Sequence, residues 1–348
     1  MAEILCINPG STSTKIALYK NTDEVLVNKF DHNLDNKTNI EHRLQLIQDY
    51  LKENNITALD AVVGRGGMLP PIPSGTYEVN KKMLDDLITR PQAQHASNLG
   101  APLADEVAKQ FNTKAYIVDP VTTDEILPRH KITGFKEIKR YAAWHCLNQK
   151  AVSRQYALDT GTKYEDLNLL VAHLGGGSSF GAHKKGQTVN VINALSGEGP
   201  FTPERSGAIP AQNLIDLCFS NQFTKEELHK KVAGNGGLAS LLGTKDVYSL
   251  RQNYDNLPSE TLEILDEMIY GISRAITSLI PDFDGEKIDQ ILITGGLAQW
   301  PLITDKVTSL LKHLNIGISI YPGEKELEAL RDAAIRVLEN KEQAKEYK

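Results

Sequence analysis

The sequence predicts an α/β protein built from two copies of one structural unit. The first observation is an internal repeat: residues 3–23 match the stretch that begins at Leu169 when Asn8 is aligned with His173, 165 residues later. Each copy reads as an apolar strand that ends in a polar residue, a turn rich in Gly, Ser or Thr, and a second strand. The chain has 348 residues, enough for two domains with large buried cores. Self-similarity over such a length indicates duplication.

The first copy continues with alternating strands and helices. After a third strand at 24–30, apolar residues at Ile40, Leu44, Ile47 and Leu51 have helical spacing and predict a helix over 39–54. The following predicted elements are a strand at 58–63, helices at 80–87 and 102–111, and a strand at 114–118. The strand at 58–63 leads into Arg65, and the strand at 114–118 leads into Asp119.

The second copy repeats this order with insertions. Its predicted elements are a third strand at 188–194, helices with an apolar face at 208–219, 226–232 and 257–280, strands at 290–293 and 318–321, and a helix at 326–338. We expect the residues after this last helix to fray into a charged tail. The strand at 290–293 runs into the tight turn Thr294-Gly295-Gly296, where a bare backbone can approach a nucleotide closely.

Composition narrows the functional class. A net charge of −6 without a cluster of Lys and Arg argues against a general nucleic-acid binder. Three widely spaced cysteines, Cys6, Cys146 and Cys218, stand in apolar contexts and are expected to be buried free thiols in a reducing compartment. No apolar run approaches about 18 residues, and no basic segment precedes an apolar core at the N-terminus. We therefore expect a cytoplasmic protein that is neither exported nor membrane-spanning.

The Gly/Ser turns are candidate phosphate sites. Glycines at 175–177 would allow positive φ and turn N–H groups toward an anion, and the serines after them would add hydroxyl donors. An ordinary Gly-rich hairpin is the alternative, and the second copy favours phosphate. Arg65, at a strand end between glycines, is either a surface arginine or an anion ligand. Asp119 is either a metal or positioning carboxylate or a helix cap.

Several common nucleotide-binding signatures are absent from the sequence. It contains no G-x-x-x-x-G-K-[ST] segment, no G-x-G-x-x-G after the first strand, and no pairing of H-R-D with D-F-G. A Walker-type ATPase, a Rossmann dehydrogenase and a protein kinase of the usual type are therefore disfavoured. Phosphate would have to be held by the hairpin turns.

Two hairpin phosphate turns and a late strand ending in Gly-Gly resemble the actin, sugar-kinase and heat-shock ATPase superfamily, in which two ribonuclease-H-like domains close on a nucleotide in a central cleft. Within it, the chain resembles the acetate and butyrate kinase family. The blocks that carry the resemblance occur in family order at 8–15, 64–67, 95–100, 119–120, 172–179, 199–207, 294–298 and 322–324. The resemblance implies a first domain at 1–145, joined by the C-terminal helix at about 325–348, and a second domain at 146–324.

The resemblance also implies an activity: reversible transfer of a phosphoryl group from ATP to a short-chain carboxylate, giving ADP and an acyl phosphate, with Mg²⁺. A carboxylate is already ionised at neutral pH and needs no general base. Gly66 directly after Arg65, and Ala96-Ser97 after His95, match the butyrate kinase branch of the family. The open alternatives are a kinase of isobutyrate, isovalerate, acetate or propionate, a sugar or polyol kinase, a polyphosphate phosphatase, and an actin-like nucleotide switch. The family implies a homodimer or a higher homo-oligomer.

The resemblance assigns roles to individual residues. Arg65 and Arg205 would face each other across the cleft and hold the carboxylate, and His173 would donate to the transferring phosphoryl group. Asn8 and Asp119 would meet Mg²⁺, and either Glu324 or Glu326, with Glu326 favoured, would complete the metal site. The residues expected to line the phosphates are Ser11, Ser13, Gly175, Gly177, Ser178 and Ser179. Those expected near the adenosine are Gly243, Gly295, Gly296 and Leu297. His95 is a substrate contact or only a pocket wall, and the role of His145 stays open.

Overall fold

The computed structural model describes residues 2–10, 12–32 and 40–348. They form two compact units, Met1–Asp124 with Lys325–Lys348, and Glu125–Glu324. The sequence puts the boundary after residue 145, whereas segment 125–145 packs with the second unit: the Leu127 N–H, for example, donates to the Val189 carbonyl at 3.0 Å. Each unit contains one sheet flanked by helices, which confirms the predicted α/β class.

The described strands and helices follow the predicted order closely. The strands are β1 Glu3–Pro9, β2 Ser13–Lys20, β3 Asp23–Asp31, β4 Ala61–Arg65, β5 Thr76–Glu78, β6 Lys114–Val118, β7 Asn168–His173, β8 Ser179–Lys184, β9 Gln187–Ile192, β10 Gln290–Gly295, β11 Ile318–Pro322 and β12 Lys345–Glu346. The helices are α1 Ile40–Glu53, α2 Lys81–Thr89, α3 Gly100–Gln110, α4 Cys146–Asp159, α5 Ala211–Cys218, α6 Lys225–Val232, α7 Leu238–Leu241, α8 Val247–Gln252, α9 Ser259–Ser278, α10 Pro301–Leu311 and α11 Glu326–Leu338.

Local chemistry explains where several helices begin. The Asn80 side chain accepts the Met83 N–H and caps α2, and Thr224 forms a capping box with Glu227 at the start of α6. In α9, Leu265, Ile269, Ile272 and Ile276 recur at helical spacing and are all buried. The long amphipathic helix predicted at 257–280 is therefore confirmed with slightly shorter ends.

The strand order of the second sheet repeats that of five strands of the first. The first unit has β12-β5-β6-β4-β1-β2-β3, and the second has β11-β10-β7-β8-β9. In each, three antiparallel strands (β1 to β3, β7 to β9) are extended by two parallel ones, β4 and β6 in the first unit and β10 and β11 in the second. The repeat found in the sequence thus corresponds to a repeated fold.

The hairpins of the two units differ by one residue. Asn8 pairs with Lys15 across β1 and β2, whereas His173 pairs with Ser179 across β7 and β8. The ungapped alignment of the repeat therefore holds up to the turn and is displaced by one residue after it. Because side chains alternate between faces along a strand, this register decides which residues of β8 point inward.

Strand order brings the candidate residues to the carboxyl ends of parallel strands. Asn8 lies near the end of β1, Arg65 ends the neighbouring β4, and Asp119 directly follows β6. In the second unit, His173 ends β7 and Gly295 ends the neighbouring β10. Ligands of open α/β sheets bind at this edge.

The C-terminal residues are ordered, and the prediction of a frayed charged tail was wrong. Strand β12 pairs with β5, and the Tyr347 side chain is only 3% exposed. Its hydroxyl donates to Asp86 Oδ2 at 2.8 Å, while Glu342 accepts the Thr76 N–H at 2.9 Å. Strand pairing, the Glu342 contact and the buried Tyr347 ring together anchor a segment whose composition is otherwise that of a tail.

Replacing Tyr347 with Phe should lower the free energy of unfolding by about 1 kcal/mol, because it removes a buried hydrogen bond and keeps the ring. Chemical denaturation of the full-length protein measures this. Tyr248→Phe is the matched control, since that side chain is 70% exposed and its variant should unfold like the wild type. Equal stability of the Tyr347 variant and the wild type would contradict an anchored tail.

Two further expectations about burial need correction. Cys6 and Cys146 are buried free thiols as predicted, but Cys218 is exposed, because it ends a helix, α5, that buries none of its residues. The apolar face predicted there is also partly exposed: Ile215 is 54% and Phe219, directly after α5, is 82% exposed. Among the described residues, no helix is long and apolar enough to span a membrane.

Candidate active site

In the first unit, three of the predicted residues form one hydrogen-bonded cluster. Arg65 Nη2 lies 2.8 Å from Glu326 Oε1, and Arg65 Nη1 donates to Asn8 Oδ1 at 3.3 Å. The Asn8 amide in turn donates to Glu326 Oε2 at 2.6 Å. Glu326 is mostly buried at the start of α11, so the helix N-terminus and the guanidinium both stabilise its charge.

Asp119 is held at a strained turn beside this cluster's strands. Its φ of 39° lies in the left-handed region, which is uncommon for a non-glycine residue and recurs at functional sites. Oδ1 accepts the Gly75 N–H at 2.7 Å, and the carboxylate is buried. Asp119 therefore braces the loop before β5 and does not cap a helix.

The first hairpin turn is supported by an arginine that the sequence did not single out. Arg43 of α1 is fully buried, and its Nη1 donates to the Gly10 and Ser13 carbonyls at 3.0 and 3.3 Å and to Thr14 Oγ1 at 2.8 Å. The Ser13 carbonyl also accepts the Gly10 N–H at 2.7 Å, which closes the turn. Ser11 lies outside the described residues.

His95 has a local structural partner. It precedes a short 3₁₀ turn, and its Nδ1 accepts the Ser97 N–H at 3.1 Å and lies 2.7 Å from Ser97 Oγ. The ring itself is exposed. This contact orients the ring.

In the second unit, the glycine turn after β7 has a geometry that differs from the predicted one. None of the glycines at 175–177 has positive φ, so that part of the prediction was wrong. Two of these glycines are needed because larger residues would crowd their neighbours. A Cβ on Gly177 would come 3.3 Å from Arg205 Nε, and one on Gly176 would come 3.2 Å from the Glu204 carboxylate carbon. Ser178 is buried, and its Oγ accepts the Gly175 N–H at 3.4 Å.

The loop carrying Arg205 is tied to this turn. The Glu204 N–H and Thr202 Oγ1 both donate to the Gly176 carbonyl, at 2.9 and 2.6 Å. Arg205 Nη1 lies 3.3 Å from Glu204 Oε2, and its Nε has no hydrogen-bond partner among the described residues. A buried guanidinium N–H without an acceptor is suited to an anionic ligand.

His173 is almost completely buried beside the glycine turn. Its Nδ1 lies 2.8 Å from Asn148 Oδ1 on α4. Its Nε2 has no hydrogen-bond partner among the described residues and lies 3.6 Å from Glu324 Oε1. The structure thus separates the two acidic candidates: Glu326 contacts Asn8 and Arg65, whereas Glu324 faces His173.

A second histidine joins this arrangement. The His145 ring stacks on the His173 ring with centroids 3.8 Å apart and planes 8° from parallel. Its Nδ1 lies 2.8 Å from Ser179 Oγ, and Gln149 Nε2 donates to the same oxygen at 2.9 Å. Ser179 is fully buried, so its hydroxyl serves these two side chains.

The Gly-Gly turn after β10 packs against the glycine turn. Gly295 has φ of 94°, and a Cβ there would lie 2.3 Å from the Leu174 carbonyl oxygen. The Leu297 N–H donates to that oxygen at 3.0 Å. A Cβ on Gly296 or Gly243 would meet nothing within 4 Å. Gly295 is therefore required by the fold, whereas Gly243 and Gly296 border open space.

The oxygen atoms of the candidate site suit a hard cation that would also bind water and substrate phosphates. No group of three or more His, Cys, Asp or Glu side chains that could hold a metal occurs within residues 2–10, 12–32 and 40–348. Mg²⁺, however, is commonly bound through one or two carboxylates with the remaining positions filled by water and substrate phosphates. The oxygens of Asn8, Asp119 and Glu326 fit that mode.

Comparison with known proteins identifies the family. Residues 125–340, more than half of the chain, match the acetokinase family. The chain belongs to the acetokinase family. The resemblance inferred from the sequence blocks is thereby confirmed.

Two curated relatives resemble the chain over its whole length. Butyrate kinase 1 of Clostridium acetobutylicum is 44% identical over 100% of both chains. A probable butyrate kinase of Clostridium botulinum is 43% identical over 99% of both. Among solved structures, acetate kinase from Entamoeba histolytica superimposes with a TM-score of 0.81 over 97% of this chain and 100% of its own, at 16% identity. The last comparison confirms the predicted actin-like ATPase fold.

Proposed function

We propose that this acetokinase-family enzyme is a butyrate kinase: it transfers the γ-phosphoryl group of ATP to butyrate and yields butanoyl phosphate and ADP, reversibly. The observation that carries the proposal is the 43–44% identity, over 99–100% of both chains, to proteins named butyrate kinase. The geometry of each unit supports this proposal. Arg65 lies at the end of β4, and Arg205 lies against the glycine turn at 175–177. No side chain is needed as a general base, since butyrate is ionised at neutral pH.

Charge stabilisation is the main catalytic task in this reaction. Arg65 and Arg205 supply the two guanidinium groups that hold the carboxylate and neutralise charge on the phosphoryl group in transfer. Arg65 is oriented by Glu326 and Asn8, and Arg205 by Glu204. The unsatisfied Nε of Arg205 supports its assignment to an anion.

His173 of the second unit is proposed to donate to the oxygens of the transferring phosphoryl group. Its Nε2 is the ring nitrogen that faces the proposed phosphoryl site, because Nδ1 lies 2.8 Å from Asn148 Oδ1. Glu324 Oε1 lies 3.6 Å from the same Nε2.

The nucleotide is proposed to lie along the turns. The phosphates contact Gly175, Gly177 and Ser178, with Ser11 and Ser13 of the first hairpin, and the adenosine lies near Gly243, Gly296 and Leu297. Ser179 and Gly295 are not proposed to contact the nucleotide. The Ser179 hydroxyl is buried and hydrogen-bonded, and Gly295 packs against Leu174. Asp119 and His95 keep their proposed metal and substrate roles.

Mg²⁺ is the proposed cofactor, with Glu326 preferred over Glu324 as its acidic partner. Asn8 and Asp119 supply the other oxygens, and the ion would neutralise negative charge on the nucleotide phosphates. We also propose that the enzyme is a homodimer or a higher homo-oligomer, which would cover the exposed apolar residues Ile215 and Phe219. The two buried free thiols support a cytoplasmic location.

The direct test is to trap acyl phosphate with hydroxylamine. The purified protein with ATP, Mg²⁺ and butyrate should form butyryl hydroxamate, and removing the metal with a chelator should abolish the signal. Readdition of Mg²⁺ should restore it, which separates a cofactor effect from denaturation. Absence of hydroxamate with butyrate in the presence of Mg²⁺ would refute the proposal.

A further inference from the structure

The segment that carries Arg205 lies between β9 and α5 and contains neither a helix nor a strand. We call residues 193–208 the Arg205 loop. For Arg205 to act on the phosphoryl group as proposed, its guanidinium must be held to within about 0.5 Å of its place. In a segment without regular secondary structure, that precision has to come from contacts at the ends of the loop.

At the base of the Arg205 loop, Arg140 uses every N–H of its guanidinium. Nε and Nη2 donate to the two carboxylate oxygens of Glu198, at 3.2 and 2.9 Å. Nη1 donates to the His130 carbonyl at 2.9 Å and to Asn190 Oδ1 at 3.2 Å, and Nη2 also donates to the Val191 carbonyl. Five donors matched by five acceptors fix the plane of the guanidinium, so it offers Glu198 one orientation.

Glu198 in turn closes the first turn of the Arg205 loop. Its Oε2 accepts the Asn193 N–H at 3.1 Å. Asn193 is 1% exposed, and its Oδ1 accepts the N–H groups of Leu195 and Ser196 at 2.7 and 3.1 Å. The start of the loop is thus a hydrogen-bonded ring that is attached to Arg140 through one carboxylate.

The two limbs of the Arg205 loop touch through their backbones. The Ala208 N–H donates to the Gly199 carbonyl at 2.9 Å. Gly207 has φ of 65°, and a Cβ there would lie 2.4 Å from the backbone of the opposite limb. Limbs in such close contact cannot shift independently. A displacement at Glu198 is therefore passed to Gly207 and to Arg205, two residues before it.

The Arg140–Glu198 ion pair is sheltered from solvent, since the exposed fractions of the two side chains are 25% and 24%. Sheltered pairs add little to stability, because both groups lose water when they are buried. Their better-supported use is to specify one arrangement among several. The pair is therefore suited to fixing a geometry.

We propose that Arg140 and Glu198 are positioning residues of the transfer reaction: their ion pair fixes the base of the Arg205 loop and thereby the place of the Arg205 guanidinium. The glycine turn at 175–177 holds the other end of the loop. Neither Arg140 nor Glu198 is proposed to touch a substrate. This inference deepens the proposed function and rests on it for the chemical role of Arg205.

The first test measures the loop itself, by hydrogen–deuterium exchange of the full-length protein without substrates. Glu198→Ala leaves Arg140 its three other acceptors but frees the base of the loop. The backbone amides of residues 193–208 should then exchange about 10-fold faster, as expected when hydrogen bonds to a charged group are lost. Exchange equal to that of the wild type overturns the proposal.

Glu286→Ala is the matched control for this exchange experiment. It removes a carboxylate that pairs with Lys184 and Lys185 in the same unit, and it should leave exchange in the Arg205 loop unchanged. Because the readout needs no substrate, it decides whether the ion pair orders the loop even if the protein does not act on butyrate. Failure of the inference and failure of the proposed function are thereby distinguished.

The second test connects the ion pair to Arg205 through kinetics. In Glu198→Ala, kcat should fall about 10²-fold and the KM for butyrate should rise, with the KM for ATP unchanged, because the guanidinium is misplaced. In an Arg205→Ala background the same change should lower kcat no further, since no guanidinium remains to be placed. A loss that adds in full to that of Arg205→Ala overturns the proposal. Glu286→Ala should keep wild-type kcat.

Glu198→Gln keeps the test decisive should Glu198→Ala fail to fold. It preserves the size of the side chain but offers Arg140 one acceptor oxygen in place of two. Faster exchange of the loop and a smaller loss of kcat are expected, again without a further loss in the Arg205→Ala background. A Glu198→Gln protein that exchanges and turns over like the wild type overturns the proposal.

Discussion

The Arg205→Ala variant is expected to lose activity by about 10³- to 10⁵-fold in kcat, the range observed when an arginine that neutralises a transferring phosphoryl group is removed. The structure gives the physical reason: Arg205 lies against the glycine turn, and its Nε has no partner among the described residues. Alanine removes this charge from the place where negative charge develops. The measurement is kcat and KM for ATP and butyrate in the hydroxamate assay.

Two variants control for unrelated effects of losing an arginine. Arg274→Ala deletes an exposed guanidinium that pairs with Glu267 on the surface of α9, and it should retain wild-type kcat. Arg205→Lys keeps the charge but loses the planar fork, so it should fall between the wild type and Arg205→Ala. Wild-type turnover in Arg205→Ala would show that Arg205 is not part of the active site.

The Gly295→Ala variant should lose both stability and activity. Gly295 has φ of 94° and ψ of 175°, a region populated almost only by glycine, which alone costs about 1–3 kcal/mol for another residue. In addition, the new Cβ would lie 2.3 Å from the Leu174 carbonyl, so the backbone of the glycine turn must move. Chemical denaturation and kcat should therefore change together.

Gly296→Ala is the matched control for this prediction. A Cβ at Gly296 meets nothing within 4 Å, so the free energy of unfolding should stay that of the wild type. If the adenosine lies there, as proposed, the KM for ATP should rise. A Gly295→Ala protein as stable and active as the wild type would contradict the close packing of these two turns.

Local patterns predicted many of the strands and helices and the repeat, but they missed helix α10 and strand β5. Strand β6 and helix α11 have the predicted bounds, because apolar periodicity and the flanking polar residues define both ends. The repeat located Asn8 and His173 at corresponding strand ends. The family blocks, not periodicity, gave Arg65, Arg205 and Glu326 their predicted roles, and the structure adds that Glu326 pairs with Arg65.

The supporting residues could not be predicted in this way. Arg43 and Gln149 occupy ordinary positions on helices, and their partners are 33 and 30 residues away in the sequence. Tyr347 looks like part of a charged tail until its partner Asp86, 261 residues away, is known. Such contacts depend on tertiary packing, which a local pattern does not contain. A buried Arg or Gln on an apolar helix face is the one signal that could have drawn attention to them.

The most direct test of butyrate kinase activity is a comparison of kcat/KM for acetate, propionate, butyrate, isobutyrate and isovalerate, with a hexose as the alternative acceptor. Because one methylene in an apolar pocket is worth about 1–3 kcal/mol, a chain-length preference should be clearly resolved. We predict acyl phosphate formation with the highest kcat/KM for butyrate and no hexose phosphate. Phosphorylation of the hexose without hydroxamate from any of the acids would contradict the proposed function.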